Sequence, residues 1–149
     1  MKTSMWLAEQ LLLLCAIFVL GWRDWDKAET EWISVVGGGV MLAALVVAVS
    51  GFRALGRNLS PGPRPLREHS LVTHGIYRRV RHPLYTSLLL LSIGWAIFTH
   101  SWIACAATLV LLAFLHMKAR VEEKHLESIY PQYRNYAART GSFLPRPWN

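Results

Sequence analysis

Apolar and polar positions along this chain are segregated into blocks. Four blocks stand out, Met5–Trp22, Trp32–Phe52, Leu84–Phe98 and Trp102–Met117, and within them only Glu9 carries a charge. A helix in water would pair an apolar stripe with a polar face, so runs that are apolar all round point to a bilayer. Trp32–Phe52 holds 21 residues, which at ~1.5 Å each reach across a hydrocarbon core of ~30 Å. The last two blocks are shorter, and only Thr99, His100 and Ser101 separate them. That spacing predicts a tight helical hairpin whose missing length comes from polar flanks at its open end. The expected fold class is an all-α integral membrane protein with about four transmembrane helices, the last two forming the hairpin. A single domain over residues 1–149 is expected.

Charge orients the helices. The loop 53–83 holds Arg53, Arg57, Arg64, Arg67, Arg78, Arg79 and Arg81, and the tail 118–149 holds Lys118, Arg120, Lys124, Arg134, Arg139 and Arg146. The first connection carries only Arg23 and Lys27, among Asp24, Asp26, Glu29 and Glu31, and Lys2 stands at the start. Lysine and arginine accumulate in short cytoplasmic loops, so both termini, the loop and the tail are expected on the cytoplasmic side.

Composition changes this picture little. The net charge is +7 with 53% hydrophobic residues. Thirteen of the sixteen cations lie on the loop and the tail, where an anionic leaflet accounts for them, so no nucleic-acid partner is expected. No small-x-small site follows the first block, which reads as a retained helix, not a cleaved signal. Cys15 and Cys105 fall inside apolar blocks and read as inert buried thiols, supporting neither a disulfide framework nor a metal site. Gly37-Gly38-Gly39 would permit close helix packing; no oligomer is predicted.

Candidate chemistry gathers at the hairpin's open end. The stretch "RALGRNLSPGPRPLREHS" is too rich in glycine and proline for helix, and Gly75 is placed to close a turn before Ile76-Tyr77. His82-Pro83 reads as a helix start, which puts Tyr85 about one turn further on. A helix N-terminus offers free N–H groups and partial positive charge, suited to an anionic group. "HMKARVEEKHLESIY" keeps helical composition as far as Tyr130, so the last helix should project from the membrane with Lys118 and Glu122 on one face. The hairpin makes the two ends neighbours, so Glu122 and Glu123 should face His82–Tyr85.

The pattern "G-I-Y-x-x-V-R-H-P-L-Y", followed after the hairpin by "E-E-x-x-L" and then "Y-P-Q-Y-R-N-Y…F-L-P", resembles the isoprenylcysteine carboxyl methyltransferase family and its bacterial relatives. The resemblance covers roughly Leu55 to Pro147 and extends to phospholipid methyltransferases. It implies S-adenosylmethionine as cofactor, bound at the cytoplasmic face by the helix 2–3 loop and the last helix's extension, and an inner-membrane location of the bacterial type. Carried onto this chain, it implies cofactor contacts from His69, Ser70, Leu71, Val72, Tyr77, His82, Pro83, Leu84, Tyr85 and Glu122. Of these, His82, Tyr85 and Glu122 would work at the reacting centre. The basic residue that meets the acceptor corresponds to Lys118, with Arg120 nearby; the animal enzymes place arginine there, which can clamp a carboxylate bidentately as lysine cannot.

The implied reaction is methyl transfer to a lipophilic or prenylated acceptor entering from the bilayer lipids. A carboxylate acceptor is ionised at neutral pH and needs no base. An amine, as on a phospholipid, must first lose a proton, to His82, His125 or Glu123, and a thiol lies between. Two other classes remain open at this stage: a non-catalytic scaffold whose arginines bind anionic lipid, and a membrane reductase, for which no glycine-rich nicotinamide fingerprint is visible.

Overall fold

The computed structural model describes residues 3–25, 31–56 and 71–146. Among them are five α-helices and one 3-10 turn. In chain order these are α1 (Thr3–Arg23), α2 (Glu31–Leu55), the turn Gly75–Arg78, α3 (Pro83–Phe98), α4 (Trp102–Ile129) and α5 (Tyr133–Arg139). Every apolar block is helical. α4 runs on past Met117 to Ile129, so its last turns leave the apolar stretch as the charged composition requires. α1, α2 and α4 are long and apolar enough to cross a membrane, whereas α3 has 16 residues, or about 24 Å.

The bundle is organised around α3, which packs on α2 along one side and on α4 and α1 along others. Where α2 meets α3 the backbones nearly touch: a Cβ on Gly37 would lie 2.5 Å from the Phe98 nitrogen, and one on Gly94 would lie 3.0 Å from the Gly37 oxygen. The Ser34 hydroxyl adds a hydrogen bond to the Phe98 oxygen at 3.0 Å. Small residues allow such an approach, and dispersion and close-range dipoles then hold helices together where lipid removes any hydrophobic drive. The Gly37-Gly38-Gly39 run therefore serves packing within the chain, through Gly37 alone; Gly38 and Gly39 face open space.

On the other side Ile17 from α1, Ala96 from α3 and Ala104, Leu111, Phe114 and Leu115 from α4 form the core, with Trp6 against Phe114 at 5.4 Å. The hairpin turns at His100, whose φ of 54° is left-handed, and Ser101 caps α4 by accepting from the Ala104 nitrogen. The Ser101 hydroxyl donates to Asp24 at 2.7 Å, tying the turn to the end of α1.

The outer surface is apolar. Leu11, Leu12 and Val19 on α1, Val35, Leu42, Leu45 and Val46 on α2, and Leu109 and Val110 on α4 are exposed. An apolar surface this extensive is stable against hydrocarbon, not water, so the chain is an integral membrane protein. Trp22, Trp25, Trp32 and Trp102 are exposed at the end holding the first connection and the hairpin turn, where ring and N–H suit a membrane interface. One expectation fails here. Cys15 is exposed on this outer face and Cys105 is half-buried, because an apolar block in lipid needs no inward side.

Gly37→Ala is expected to force α2 and α3 apart and cost about 1–3 kcal/mol, whereas Gly39→Ala, which meets nothing, should be neutral or stabilise through helix propensity. Thermal unfolding of both variants in one detergent measures the contrast.

Candidate functional site

Pro83 opens α3 because its ring presets φ and the first helical position needs no N–H donor. His82 is the N-cap residue, but its ring makes no capping bond. It crosses instead to α4, where Nε2 lies 2.9 Å from Glu123 Oε1. One turn along α3, the Tyr85 hydroxyl donates to Glu122 Oε2 at 2.8 Å. The two rings lie parallel, 5.3 Å apart, and His82 Nδ1 stands 3.9 Å from Glu122 Oε2. A short apolar hairpin thus delivers two adjacent carboxylates to two adjacent rings.

Arg81 completes the joint. Its Nε donates to Glu123 Oε1 at 2.8 Å, and its Nη1 donates to the Ala137 oxygen at 3.0 Å and to the Thr140 oxygen. One guanidinium therefore ties the entry of α3 to α4 and satisfies carbonyls at the end of α5 that no helical partner can reach. Burial would raise the Glu123 carboxyl, but hydrogen bonds and charge from His82 and Arg81 outweigh it and hold it down at about 2. Glu123 is accordingly ionised at neutral pH and can only accept, which makes Nε2 the protonated nitrogen of His82.

The chain after α5 returns along this joint. Val80 pairs in parallel with Gly141, the Arg81 and His82 nitrogens donate to the Gly141 and Ser142 oxygens at 2.8 and 3.0 Å, and the Gly141 nitrogen donates back to the Arg79 oxygen at 3.1 Å. The Thr86 hydroxyl donates to the Phe143 oxygen at 2.7 Å, and the Phe143 ring lies about equally close to His82, Tyr85 and His116. The Tyr136 hydroxyl, pushed up to about 12 by burial, donates to the Tyr77 oxygen at 2.7 Å. The buried Tyr133 hydroxyl has no hydrogen-bond partner among the described residues.

The structure brings together His82, Tyr85, Glu122 and Glu123. Pro83 is buried and Leu84 half-buried at the same helix start, with the Leu84 side chain over Gly51. Tyr77 lies buried in the 3-10 turn, its hydroxyl raised by burial and by Glu122. Val72 is buried and Leu71 half-buried ahead of that turn, while His69 and Ser70 lie outside the described residues. Lys118 is only 5% exposed; its ammonium lies 2.6 Å from Gln10 Oε1 and 5.3 Å from the Tyr85 ring centre. Arg120 is exposed, two residues along and so on the far side of α4. Arg78, Arg79 and half-buried His125 form none of these contacts.

Sequence reasoning grouped Arg81 with the other loop arginines, gave Phe143 no role beyond its motif, and missed α5 and Gln10. Arg81 directly precedes His82, which was the available signal; nothing in the sequence marks Gln10. Among the described residues no group of three His, Cys, Asp or Glu could hold a metal ion.

If Glu123 is held down by this joint, its stabilising contribution is complete above its ordinary value of 4.5 and fades as pH falls toward about 2. Glu123→Gln should therefore lower stability above pH 4.5, and the gap from wild type should close near pH 2. Hydrogen exchange of residues 133–143 across that range is the measurement.

Comparison with known proteins places residues 32–133 within the model of the phospholipid methyltransferase family. A probable protein-S-isoprenylcysteine O-methyltransferase of Oryza sativa subsp. japonica is 35% identical over 124 residues, 80% of this chain and 65% of that protein. The cobalt-zinc-cadmium resistance protein CzcN of Cupriavidus metallidurans is 36% identical over 81 residues, 54% of this chain and 38% of that protein. The chain thus spans between 38% and 65% of the length of these relatives. The solved structure of a eukaryotic intramembrane Ras methyltransferase, an isoprenylcysteine carboxyl methyltransferase, superposes with a TM-score of 0.76 at 25% identity, over 97% of this chain and 54% of that one.

Proposed function

This chain belongs to the phospholipid methyltransferase family, and we propose that it transfers a methyl group from S-adenosylmethionine to a lipophilic acceptor, by carboxyl O-methylation of an isoprenylcysteine-like molecule. The observation that carries this reading is the joining of Glu122 to Tyr85 and of Glu123 to His82 at the open end of one hairpin. A scaffold that merely bound anionic lipid would have no use for two carboxylates gathered there.

The donor set suits the cofactor. When bound, S-adenosylmethionine supplies a methyl group made electrophilic by a positive sulfonium. Glu122 can accept from its ammonium or a hydroxyl, and the N-terminal end of α3, with its partial positive charge, suits its carboxylate. The face of Tyr77 suits the adenine or the positive sulfur, whereas the Tyr85 ring is stacked on His82 and carries the Lys118 ammonium. Arg81 serves first as a structural tie, because its Nε and Nη1 are engaged by Glu123 and two backbone oxygens. His69, Ser70, Leu71 and Val72 would complete the contacts from the loop.

The acceptor's chemistry follows from which groups are free. Displacement at carbon demands alignment and exclusion of water. A carboxylate needs no base, and Lys118, with Arg120 outside the joint, is the cation left to orient it. If the acceptor is an amine, His82 Nδ1 is the nitrogen left to take a proton, since Nε2 is committed to Glu123. We place the site and both termini on the cytoplasmic side from the loop and tail cations, with α3 as a fourth crossing completed by the polar residues at its start.

Glu122→Ala is expected to weaken S-adenosylhomocysteine binding by at least about a hundredfold while the protein still inserts; calorimetric titration in detergent measures it, and unchanged affinity would sink the assignment. Lys118→Ala should raise the acceptor's KM by about tenfold or more and leave the cofactor's KM nearly unchanged. The reverse pattern in steady-state kinetics would reverse the residue's role.

A further inference from the structure

One buried cation is left short of partners. The Lys118 ammonium has three N–H donors, and the hydrogen bond found for it is the one to Gln10 Oε1 at 2.6 Å. Its remaining contact is the face of Tyr85. Glu122, one turn along α4, is held by the Tyr85 hydroxyl; burial works against the Lys118 ammonium and the Glu122 charge favours it, yet among the described residues no carboxylate lies within ion-pair distance of Lys118. A lysine 5% exposed ordinarily has a carboxylate beside it, because a buried charge is costly unless it is paired. Here a neutral amide fills that place. The hydrogen bond orients the ammonium without cancelling its charge, and its other two donors have no hydrogen-bond partner among the described residues. Gln10 comes from α1, outside the segment 32–133 matched to the family. With its oxygen on Lys118, its own N–H2 group is left as a further donor at the same spot.

We propose that Gln10 is a specificity-determining positioning residue: it holds the Lys118 ammonium over Tyr85 with no carboxylate in contact, and so selects a lipophilic acceptor bearing a carboxylate over the same molecule without one. This rests on the methyltransferase reading for the word acceptor. Neutrality at position 10 is the essential property, because a carboxylate there would occupy the cation that the acceptor must find.

The test is calorimetric titration of the full chain in detergent with N-acetyl-S-farnesylcysteine, with its methyl ester, and separately with S-adenosylhomocysteine. Wild type is expected to bind the acid about tenfold or more tighter than the ester. Gln10→Glu should abolish that preference while the affinity for S-adenosylhomocysteine stays within about twofold. Gln10→Met, which keeps the volume but loses the polar head, should retain part of the preference; it also stands in if Gln10→Glu fails to fold. A merely structural role for Gln10 would weaken acid and ester alike. The proposal is overturned if Gln10→Glu keeps the preference, or if wild type binds acid and ester equally. The methyltransferase reading fails separately, if folded wild type does not bind S-adenosylhomocysteine.

Discussion

The joint at the open end of the α3–α4 hairpin depends on one ionised carboxylate. Glu123 receives the Arg81 guanidinium and the His82 ring on a single oxygen, and those two partners stand on the residues that lead into α3. Removing Arg81 would leave the partly buried Glu123 carboxylate with the His82 ring alone, and losing one side of such a pair costs far more than the pair itself is worth. The bond therefore acts less as a source of stability than as a geometric lock. It fixes the angle at which α3 leaves α4, the tautomer of His82 and, through the second nitrogen of that ring, the surroundings of Glu122.

The lock works because the rest of the bundle is stiff in a different way. In lipid, helices gain nothing by hiding apolar side chains, so contact must come from close approach. Gly37 and Gly94 supply it between α2 and α3, and Trp95, stacked on Phe18 at 4.8 Å and donating to the Phe18 oxygen, supplies it between α3 and α1. α3 is thereby clamped by packing at one end and by charge at the other. A short helix held at both ends makes a steady platform for His82 and Tyr85.

The same economy runs through the tail. After α5 the chain pairs with residues 79–82 and lays Phe143 beside His82 and Tyr85. These few backbone bonds satisfy groups that would otherwise be orphaned where helix gives way to loop. They also bring the Phe143 ring against His82, Tyr85 and His116 together, so the polar cluster is flanked by protein where α3 and α4 open.

The sequence by itself determined the helices, because hydropathy in a bilayer is a one-dimensional constraint: a run that is apolar all round must satisfy its own backbone and so be helical, whatever its neighbours do. It determined the hairpin through the three residues of its turn, and with it the meeting of Glu122 and Glu123 with His82 and Tyr85. Only the tertiary structure decided how the contacts were shared out: that Glu123 takes His82 and Arg81 while Glu122 takes Tyr85, that Arg81 is a structural tie where Arg78 and Arg79 are exposed, that Cys15 faces outward, and that Gln10, far away in the chain, reaches Lys118. Each of those depends on which side of a helix faces which neighbour at ångström range, and on pairings between distant residues. Composition and spacing along one chain do not encode such pairings until the helices have packed.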